Sequence, residues 1–105
     1  MSKPLLSIII PTHNRPQLLV HAVNSALEQT INDLEVIVVD DASTDLVNLP
    51  DHPRLRVIRL TKSHGGAGAR NVGTKEASGR WIMYLDDDDR LLPQMAALSL
   101  EALEK

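Results

Sequence analysis

The stretch LEVIVVDD, Leu34 to Asp41, places an aliphatic, β-branched run directly before two aspartates. A short apolar run of this kind predicts a buried β-strand. Similar runs occur at Leu5 to Ile10, Leu55 to Leu60 and Arg80 to Leu85. The run at Leu55 to Leu60 alternates more between apolar and polar residues, which is typical of a strand near a sheet edge. The sequence therefore predicts four strands.

Helices are predicted between and after these strands. The first begins after Asn14, whose side chain can cap it, and has Pro16 in its first turn. Its apolar residues recur at amphipathic spacing: Leu18, Leu19, Ala22, Val23, Ala26 and Leu27. A second helix ends near Ala77, and a third begins at Pro93 and continues to the chain end.

Strands that alternate with helices predict a parallel sheet with right-handed crossovers. The predicted fold is therefore α/β, a Rossmann-like three-layer sandwich with a mostly parallel sheet. We expect about four strands and three to four helices.

The composition excludes several classes of site. The chain has 105 residues, room for one small domain, with a formal net charge of −3 and no cysteine. Disulfides, thiolate zinc sites and cysteine nucleophiles are therefore excluded. A nucleic-acid partner is not expected because no basic stripe is visible. No stretch reaches the ~20 apolar residues of a membrane span, and the N-terminal apolar run is too short for a secretory signal.

Each predicted strand is followed by a polar cluster. The clusters are Pro11 to Arg15, Asp40 to Ser43, Thr61 to Gly66 and Asp86 to Asp89. In a parallel sheet the carboxyl ends of the strands lie at one edge, and ligands bind there in the crevice where strand order reverses. We therefore expect all four clusters to border one binding site.

The four consecutive aspartates predict a cation site. Two carboxylates about 4 Å apart repel by ~4 kcal/mol at an effective dielectric of ~20, unless water or a cation offsets the repulsion. Hard cations such as Mg²⁺ and Mn²⁺ bind carboxylate oxygens, and the Asp-x-Asp spacing favours Asp86 and Asp88 as ligands. The alternative is a solvated charged turn before a helix, where aspartates favour the helix dipole.

Asp40 and Asp41 also allow two interpretations. A carboxylate at the end of a buried strand can accept hydrogen bonds from ribose hydroxyls or a base N–H. Equally, DDASTD is compatible with a turn and helix start in which an Asp or Ser is the N-cap.

The glycine-rich segment HGGAGARNVG favours phosphate binding, because glycines let backbone N–H groups and a helix N-terminus approach an anion. It lacks the third glycine of the dinucleotide-binding fingerprint and the Gly-Lys-Ser/Thr of a Walker loop. Arg70 can pair with a phosphate through two hydrogen bonds. The alternative is close packing on the sheet, which accounts for Ala67, Ala69 and Gly73 without a ligand. His13 and His64 are expected to be surface loop residues rather than general bases.

Four segments together resemble the start of the inverting family-2 glycosyltransferases, which have the GT-A fold. The segments are SIIIPTHNRPQLL, LEVIVVDDASTD, GGAGARNVG and GRWIMYLDDDD. The resemblance implies that residues 1–105 form the nucleotide-sugar-binding half of such an enzyme. The site residues that it implies are Pro11, Thr12, Asn14 and Arg15 beside the nucleotide, Asp41 on the base with Asp40 beside it, Arg70 near the diphosphate, Asp86 and Asp88 on the metal, and Asp87 as an added neighbour. His13 stands where the family usually has Tyr or Phe.

The function implied by the resemblance is sugar transfer with inversion from a nucleotide-sugar, a UDP-sugar being favoured, to an acceptor hydroxyl. The expected cofactor is Mn²⁺ or Mg²⁺, and the expected acceptor is a glycan or a lipid-linked saccharide. No catalytic residue is assigned, because in the family the base lies downstream and is expected beyond residue 105. We therefore expect a piece of a longer chain, inactive by itself, that self-associates through its last helix. The expected location is the cytoplasm, peripheral to the inner face of the membrane in the full-length protein.

Two other classes of protein also fit aspartates at strand ends. A nucleotidyltransferase or metal-dependent phosphohydrolase would bind a triphosphate or a phosphomonoester instead of a nucleotide-sugar. A non-catalytic interaction module would present an acidic rim that water merely solvates.

Overall fold

The computed structural model describes residues 4–44 and 48–103, and these residues contain four strands and three helices. The order of elements is β1 (Leu6–Thr12), α1 (Pro16–Leu27), β2 (Leu34–Asp41), β3 (Leu55–Leu60), α2 (Gly65–Glu76), β4 (Trp81–Tyr84) and α3 (Met95–Leu103). None of the helices in the described ranges has the length and apolar content needed to cross a bilayer.

The four strands form one parallel sheet in the order β3-β2-β1-β4. The chain proceeds outward from β1 through β2 to β3 and then crosses back to place β4 on the other side of β1. The strand order therefore reverses between β1 and β4, which is where such sheets form a ligand crevice. The predicted parallel sheet is confirmed, and the strand at Leu55–Leu60 lies at its edge as expected.

Helices cover both faces of the sheet, so the predicted three layers are confirmed. Alternate strand residues such as Ile8 and Val36 pack with the buried residues of α1 and α3. The intervening residues, such as Ile9 and Ile37, pack with Ala69 of α2. Because β1 and β2 are buried on both faces, they consist of almost continuous aliphatic runs.

The close approach of α2 to the sheet depends on Gly73. A Cβ at this position would lie 2.5 Å from Cγ2 of Ile9 and 3.1 Å from Cγ2 of Val39. A real Cβ contact at 2.5 Å forces neighbouring atoms to move. The packing interpretation of the small residues in this helix is therefore correct for Gly73 and for the fully buried Ala69, whereas Ala67 is exposed.

Strand β1 continues through Pro11 to Thr12, two residues past the predicted end at Ile10. The carbonyl of Ile9 accepts a hydrogen bond from the N–H of Leu85, so the backbone N–H and C=O of Ile9 face the β4 side of the strand. Pro11, two residues later, points the same way, but the last β4 residue paired with β1 is Tyr84, opposite Ile9. The missing N–H of Pro11 therefore removes no bond of the sheet.

The start of α1 also differs from the prediction. The N-cap residue is Arg15, without a side-chain capping bond, and Pro16 follows it as expected. Asn14 has a positive φ of 54°, which Asn tolerates better than most residues. Its side chain accepts hydrogen bonds from Thr44 instead of capping the helix, so it joins the loops that follow β1 and β2.

The segment before α3 is held by the end of α1. The buried amide of Gln29 donates to the carbonyl of Leu92 and accepts from the N–H of Ala96. The hydroxyl of Ser25 accepts from the N–H of Leu91. These bonds satisfy polar groups at the start of α3, which begins at Met95 rather than at Pro93.

Candidate functional site

A cavity of about 370 Å³ lies at the carboxyl ends of the strands. All of the predicted site residues line it except Asn14 and Asp40: Pro11, Thr12, Arg15, Asp41, Arg70, Asp86, Asp87 and Asp88. The cavity is also bordered by His13, Gly66 and Ala69, which were not assigned as binding residues. The convergence expected from the parallel sheet therefore occurs at this edge.

The carboxylate of Asp41 lies at the N-terminus of α2. It accepts hydrogen bonds from the N–H of His64 at 2.6 Å, the hydroxyl of Ser63 at 2.8 Å and the N–H of Gly65 at 3.1 Å. Burial raises the pKa of Asp41, but the bonds from His64, Ser63 and Gly65, with the charge of His13, outweigh it and leave the pKa below its ordinary value of 3.8. Asp41 is thus an ionised acceptor at neutral pH.

This arrangement changes the interpretation of the glycine-rich segment. An anion is expected at a helix N-terminus, and here the chain provides one, because Asp41 already bonds two of the first backbone N–H groups. Gly66 borders the cavity beyond these two groups. The two amides that Asp41 occupies are therefore not available to an added phosphate.

Asp40 faces away from the cavity. It is 1% exposed, and its carboxylate accepts hydrogen bonds from the N–H of Ser43 at 3.1 Å and from Nε of Arg59 at 3.4 Å. Successive residues of a strand point to opposite faces, so Asp40 and Asp41 cannot both face α2. The bond to Ser43 is a local turn contact rather than a helix cap, and Asp45 of the DDASTD motif lies outside the described residues.

His13 and Asn14 link the loop after β1 to the loop after β2. Nδ1 of His13 lies 2.6 Å from the carbonyl oxygen of Asp41, which can only accept a hydrogen bond. Nε2 of His13 lies 3.2 Å from the amide nitrogen of Asn14, whose oxygen accepts from the N–H of Thr44. The contact with the carbonyl oxygen requires a proton on Nδ1. No sequence pattern marks this contact, because it joins residues about thirty positions apart.

The four aspartates after β4 do not behave alike. Asp86, Asp88 and Asp89 are exposed, and each offers a carboxylate oxygen within 4.8 Å of the others. Asp87 is turned inward, where its carboxylate accepts from the hydroxyl of Thr12 at 2.8 Å. Asp89 was not predicted as a ligand, because the Asp-x-Asp spacing singled out Asp86 and Asp88.

The chemistry of the three exposed aspartates fits a hard divalent cation, which prefers carboxylate oxygens. Two arginines at present offset part of their charge. Arg70 lies 3.3 Å from the carboxylate of Asp86, and Arg15 lies 3.3 Å from that of Asp88. Exposed ion pairs of this kind contribute only ~0–1 kcal/mol, so both guanidinium groups can turn to another anion at little cost.

Comparisons with known proteins show which family the chain resembles. The model of the family described as glycosyl transferase family 2 matches residues 7–105. Succinoglycan biosynthesis protein ExoO of Rhizobium meliloti is 39% identical over 93% of this chain and 29% of its own length. Chondroitin synthase of Escherichia coli is 41% identical over 97% of this chain and 16% of its own length. The chain thus spans less than a third of these two relatives.

Solved structures show the same architecture. The mannosyltransferase PcManGT of Pyrobaculum calidifontis, in complex with GDP-Man and Mn²⁺, has a TM-score of 0.86 at 28% identity, over 99% of this chain and 33% of that one. S. aureus TarS 1-349 in complex with UDP has a TM-score of 0.83 at 29% identity, over 95% of this chain and 32% of that one. These neighbours are GT-A fold transferases. The family match over residues 7–105, the relatives and the shared fold together show that the chain belongs to glycosyl transferase family 2.

Proposed function

We propose that this chain is the donor-binding part of an inverting glycosyltransferase. It binds a nucleoside diphosphate sugar, with a UDP-sugar favoured, together with Mn²⁺ or Mg²⁺. The full-length protein transfers the sugar to a hydroxyl of a glycan or lipid-linked saccharide. The observation that carries the proposal is the cavity where the strand order reverses between β1 and β4. Asp41, Arg70 and the acidic triad, which consists of Asp86, Asp88 and Asp89, lie together at this edge.

Asp41 supports recognition of the base. An ionised carboxylate has about four acceptor positions, and hydrogen bonds from Ser63, His64 and Gly65 use three of them. The remaining position suits a ring N–H donor, which uracil, thymine and guanine have and cytosine lacks. The lowered pKa keeps this carboxylate an acceptor at neutral pH.

Arg15 and Arg70 support binding of the diphosphate. Both line the cavity and form exposed ion pairs with aspartates of the triad. A guanidinium group binds phosphate oxygens through two parallel hydrogen bonds, which fixes orientation as well as charge. A divalent cation held by Asp86, Asp88 and Asp89 would offset the negative charge of the departing nucleoside diphosphate.

The proposed reaction is a single displacement at the anomeric carbon. The oxygen of the acceptor hydroxyl forms the new bond while the bond to the diphosphate oxygen breaks, and the electron pair stays on that oxygen. The hydroxyl proton passes to a general base, which we propose lies beyond residue 105 in the full-length protein. The chain of 105 residues is therefore expected to bind donor without transferring sugar, and observed turnover would refute this part.

A thermal-shift panel tests the proposal. UDP-, GDP- and dTDP-sugars, each with Mn²⁺, Mg²⁺ or EDTA, are compared with a nucleoside triphosphate and a phosphomonoester. A ligand at a hundred times its dissociation constant stabilises the folded protein by ~2.7 kcal/mol. We expect a stabilisation of this size for a nucleotide-sugar with metal. Asp88→Ala should lose the part of the stabilisation that depends on metal, and Asp33→Ala should keep all of it. Asp33 is an exposed carboxylate just before the amino end of β2 and is the matched control.

The outcomes separate the alternatives. A shift with the triphosphate or phosphomonoester alone would indicate a nucleotidyltransferase or phosphohydrolase. No shift with any ligand or metal would indicate an interaction module. Family membership supports the transferase and lends neither alternative support.

Self-association and location are the remaining proposals. The exposed apolar residues of α3, Leu98 at 56% and Leu103 at 50%, suit contact with a second copy. A monomer in sedimentation at high concentration would contradict this. A cytoplasmic location, peripheral to the inner face of the membrane, stays a prediction to be tested by fractionation of cells.

A further inference from the structure

We propose that Asp87 is a positioning residue rather than a ligand, and that Thr12 acts through Asp87 to hold the acidic loop, Asp86–Asp89, in its ligand-binding shape. This inference rests on the proposed function, because it assigns the metal to the other three aspartates. It also gives Thr12 a role different from direct contact with the nucleotide.

The burial of the side chains separates Asp87 from its neighbours. The side chain of Asp87 is 11% exposed, against 58% for Asp86 and 50% for Asp88. A buried carboxylate is stable only when hydrogen bonds or opposite charges replace its water. Asp87 therefore takes the inward direction because groups on β1 and at the start of α1 bond it there.

Thr12 and Arg15 both bond Asp87. The hydroxyl of Thr12 donates to Oδ2 at 2.8 Å, and Nη1 of Arg15 lies 3.5 Å from Oδ1. The same nitrogen of Arg15 lies 3.3 Å from the carboxylate of Asp88, so one guanidinium spans an inward and an outward aspartate. The shorter bond, from a buried threonine, is the firmer anchor.

Thr12 is a rigid point of attachment. It is the last residue of β1, is 4% exposed, and pairs with Asp40 of β2. On the loop itself, the N–H of Asp89 donates to the carbonyl of Asp86 at 3.1 Å, which closes a turn around Asp87. With Asp87 fixed at the inside of this turn, the flanking aspartates face outward and lie together.

Thr12→Val tests the anchor without changing charge. Valine has nearly the shape of threonine but no hydroxyl, so Oδ2 of Asp87 loses its donor. The assay is Mn²⁺ binding alone, followed by the electron paramagnetic resonance of free Mn²⁺, so that no nucleotide contact enters. We expect the dissociation constant to rise about tenfold, as when groups that orient metal ligands are removed. Thr12→Ser keeps the hydroxyl and is expected to restore binding to within about twofold.

A double-mutant cycle separates positioning from charge. Asp87→Ala removes one negative charge as well as the anchor, and Asp33→Ala removes a distant charge as the matched control. In the Asp87→Ala background, Thr12→Val is expected to have no further effect, because its partner is already absent. Independent tenfold effects in the double variant, or an unchanged dissociation constant in Thr12→Val, would overturn the proposal.

Amide hydrogen exchange in metal-free protein gives a second reading. Thr12→Val is expected to speed exchange in residues 86–92 while the β2 amides stay protected. Unchanged exchange in that segment would overturn the anchor. If wild-type protein holds no Mn²⁺ but the loop loosens as expected, the metal site of the proposed function fails and the anchor stands. A general loss of protection in Thr12→Val would mark a folding defect, and Thr12→Ser then becomes the deciding variant. The proposal fails if Thr12→Ser keeps wild-type protection elsewhere but binds Mn²⁺ tenfold more weakly or exchanges faster in residues 86–92.

Discussion

Replacing Asp41 by asparagine removes the charge at the N-terminus of α2 while keeping the shape of the side chain. In wild-type protein the carboxylate accepts hydrogen bonds from Ser63, His64 and Gly65 and is 5% exposed. Asparagine keeps one acceptor oxygen, and its NH₂ group then faces donors. At least one N–H of the helix start therefore loses its partner.

The expected cost follows from these contacts. Hydrogen bonds to a charged group contribute ~1.5–3 kcal/mol, against ~0.5–1.5 kcal/mol for neutral pairs. A negative charge at a partly buried helix N-terminus adds up to ~2 kcal/mol. Because these contributions overlap, we expect Asp41→Asn to lower the free energy of unfolding at pH 7 by about 2–3 kcal/mol. For a domain of this size that is a fall in Tm of roughly 10–20 °C.

The pH dependence tests the cause. The pKa of Asp41 is lowered in the folded protein, so its stabilisation is fully present above the ordinary value of 3.8. It is lost as the pH falls through the lowered folded value. The difference between wild type and Asp41→Asn should therefore be constant from pH 7 to about pH 5 and shrink below pH 4.

Urea unfolding followed by the fluorescence of Trp81, the single tryptophan, measures this difference. Asp33→Asn is the control, since it removes an exposed carboxylate and should change stability by less than about 0.5 kcal/mol. A cost below about 0.5 kcal/mol for Asp41→Asn, or a difference that does not shrink in acid, would refute the role assigned to the carboxylate.

Three further substitutions test the packing and backbone. Ala42 has a left-handed φ of 59°, which glycine adopts without strain. Ala42→Gly should therefore raise the free energy of unfolding by up to ~1 kcal/mol, after the entropy cost of glycine is subtracted, and so raise the urea midpoint. A lower free energy of unfolding would contradict this prediction. Gly73→Ala should destabilise by about 1–3 kcal/mol by calorimetry, because the new Cβ meets Ile9, although alanine favours helices; equal or greater stability would contradict the close packing. Gln29→Ala should cost about 2–3 kcal/mol and speed amide exchange at Ala96, which loses its acceptor; protection as in wild type would be the contrary result.

Much of the fold follows from local sequence. The aliphatic run before Asp40 is long enough to require burial on both faces, and the alternation of strands and helices then requires a parallel sheet. That sheet places the carboxyl ends of all its strands at one edge, so the position of the site follows from the strand pattern. The Leu55–Leu60 edge strand follows from the same pattern.

The roles of individual residues depended on contacts between distant segments. The two-residue period of β2 implies that Asp40 and Asp41 face opposite ways, but only the position of α2 determines which one borders the cavity. Four identical aspartates carry no local signal that singles out Asp87, whose direction depends on Thr12. Asn14 is an ordinary helix cap by sequence, and its contact with Thr44 arises only when the two loops meet.

Paramagnetic broadening of amide resonances by Mn²⁺ in ¹⁵N-labelled protein tests the central claim most directly. The ion broadens nearby signals and leaves distant ones sharp, so it reports where a cation binds. We expect trace Mn²⁺ to broaden Asp86–Asp89 first, then Thr12 and Arg70, and to spare Leu34 and Leu55 at the amino ends of their strands. Broadening centred on those amino ends, or equal broadening of all exposed carboxylates, would contradict a cation site at the carboxyl edge of the sheet.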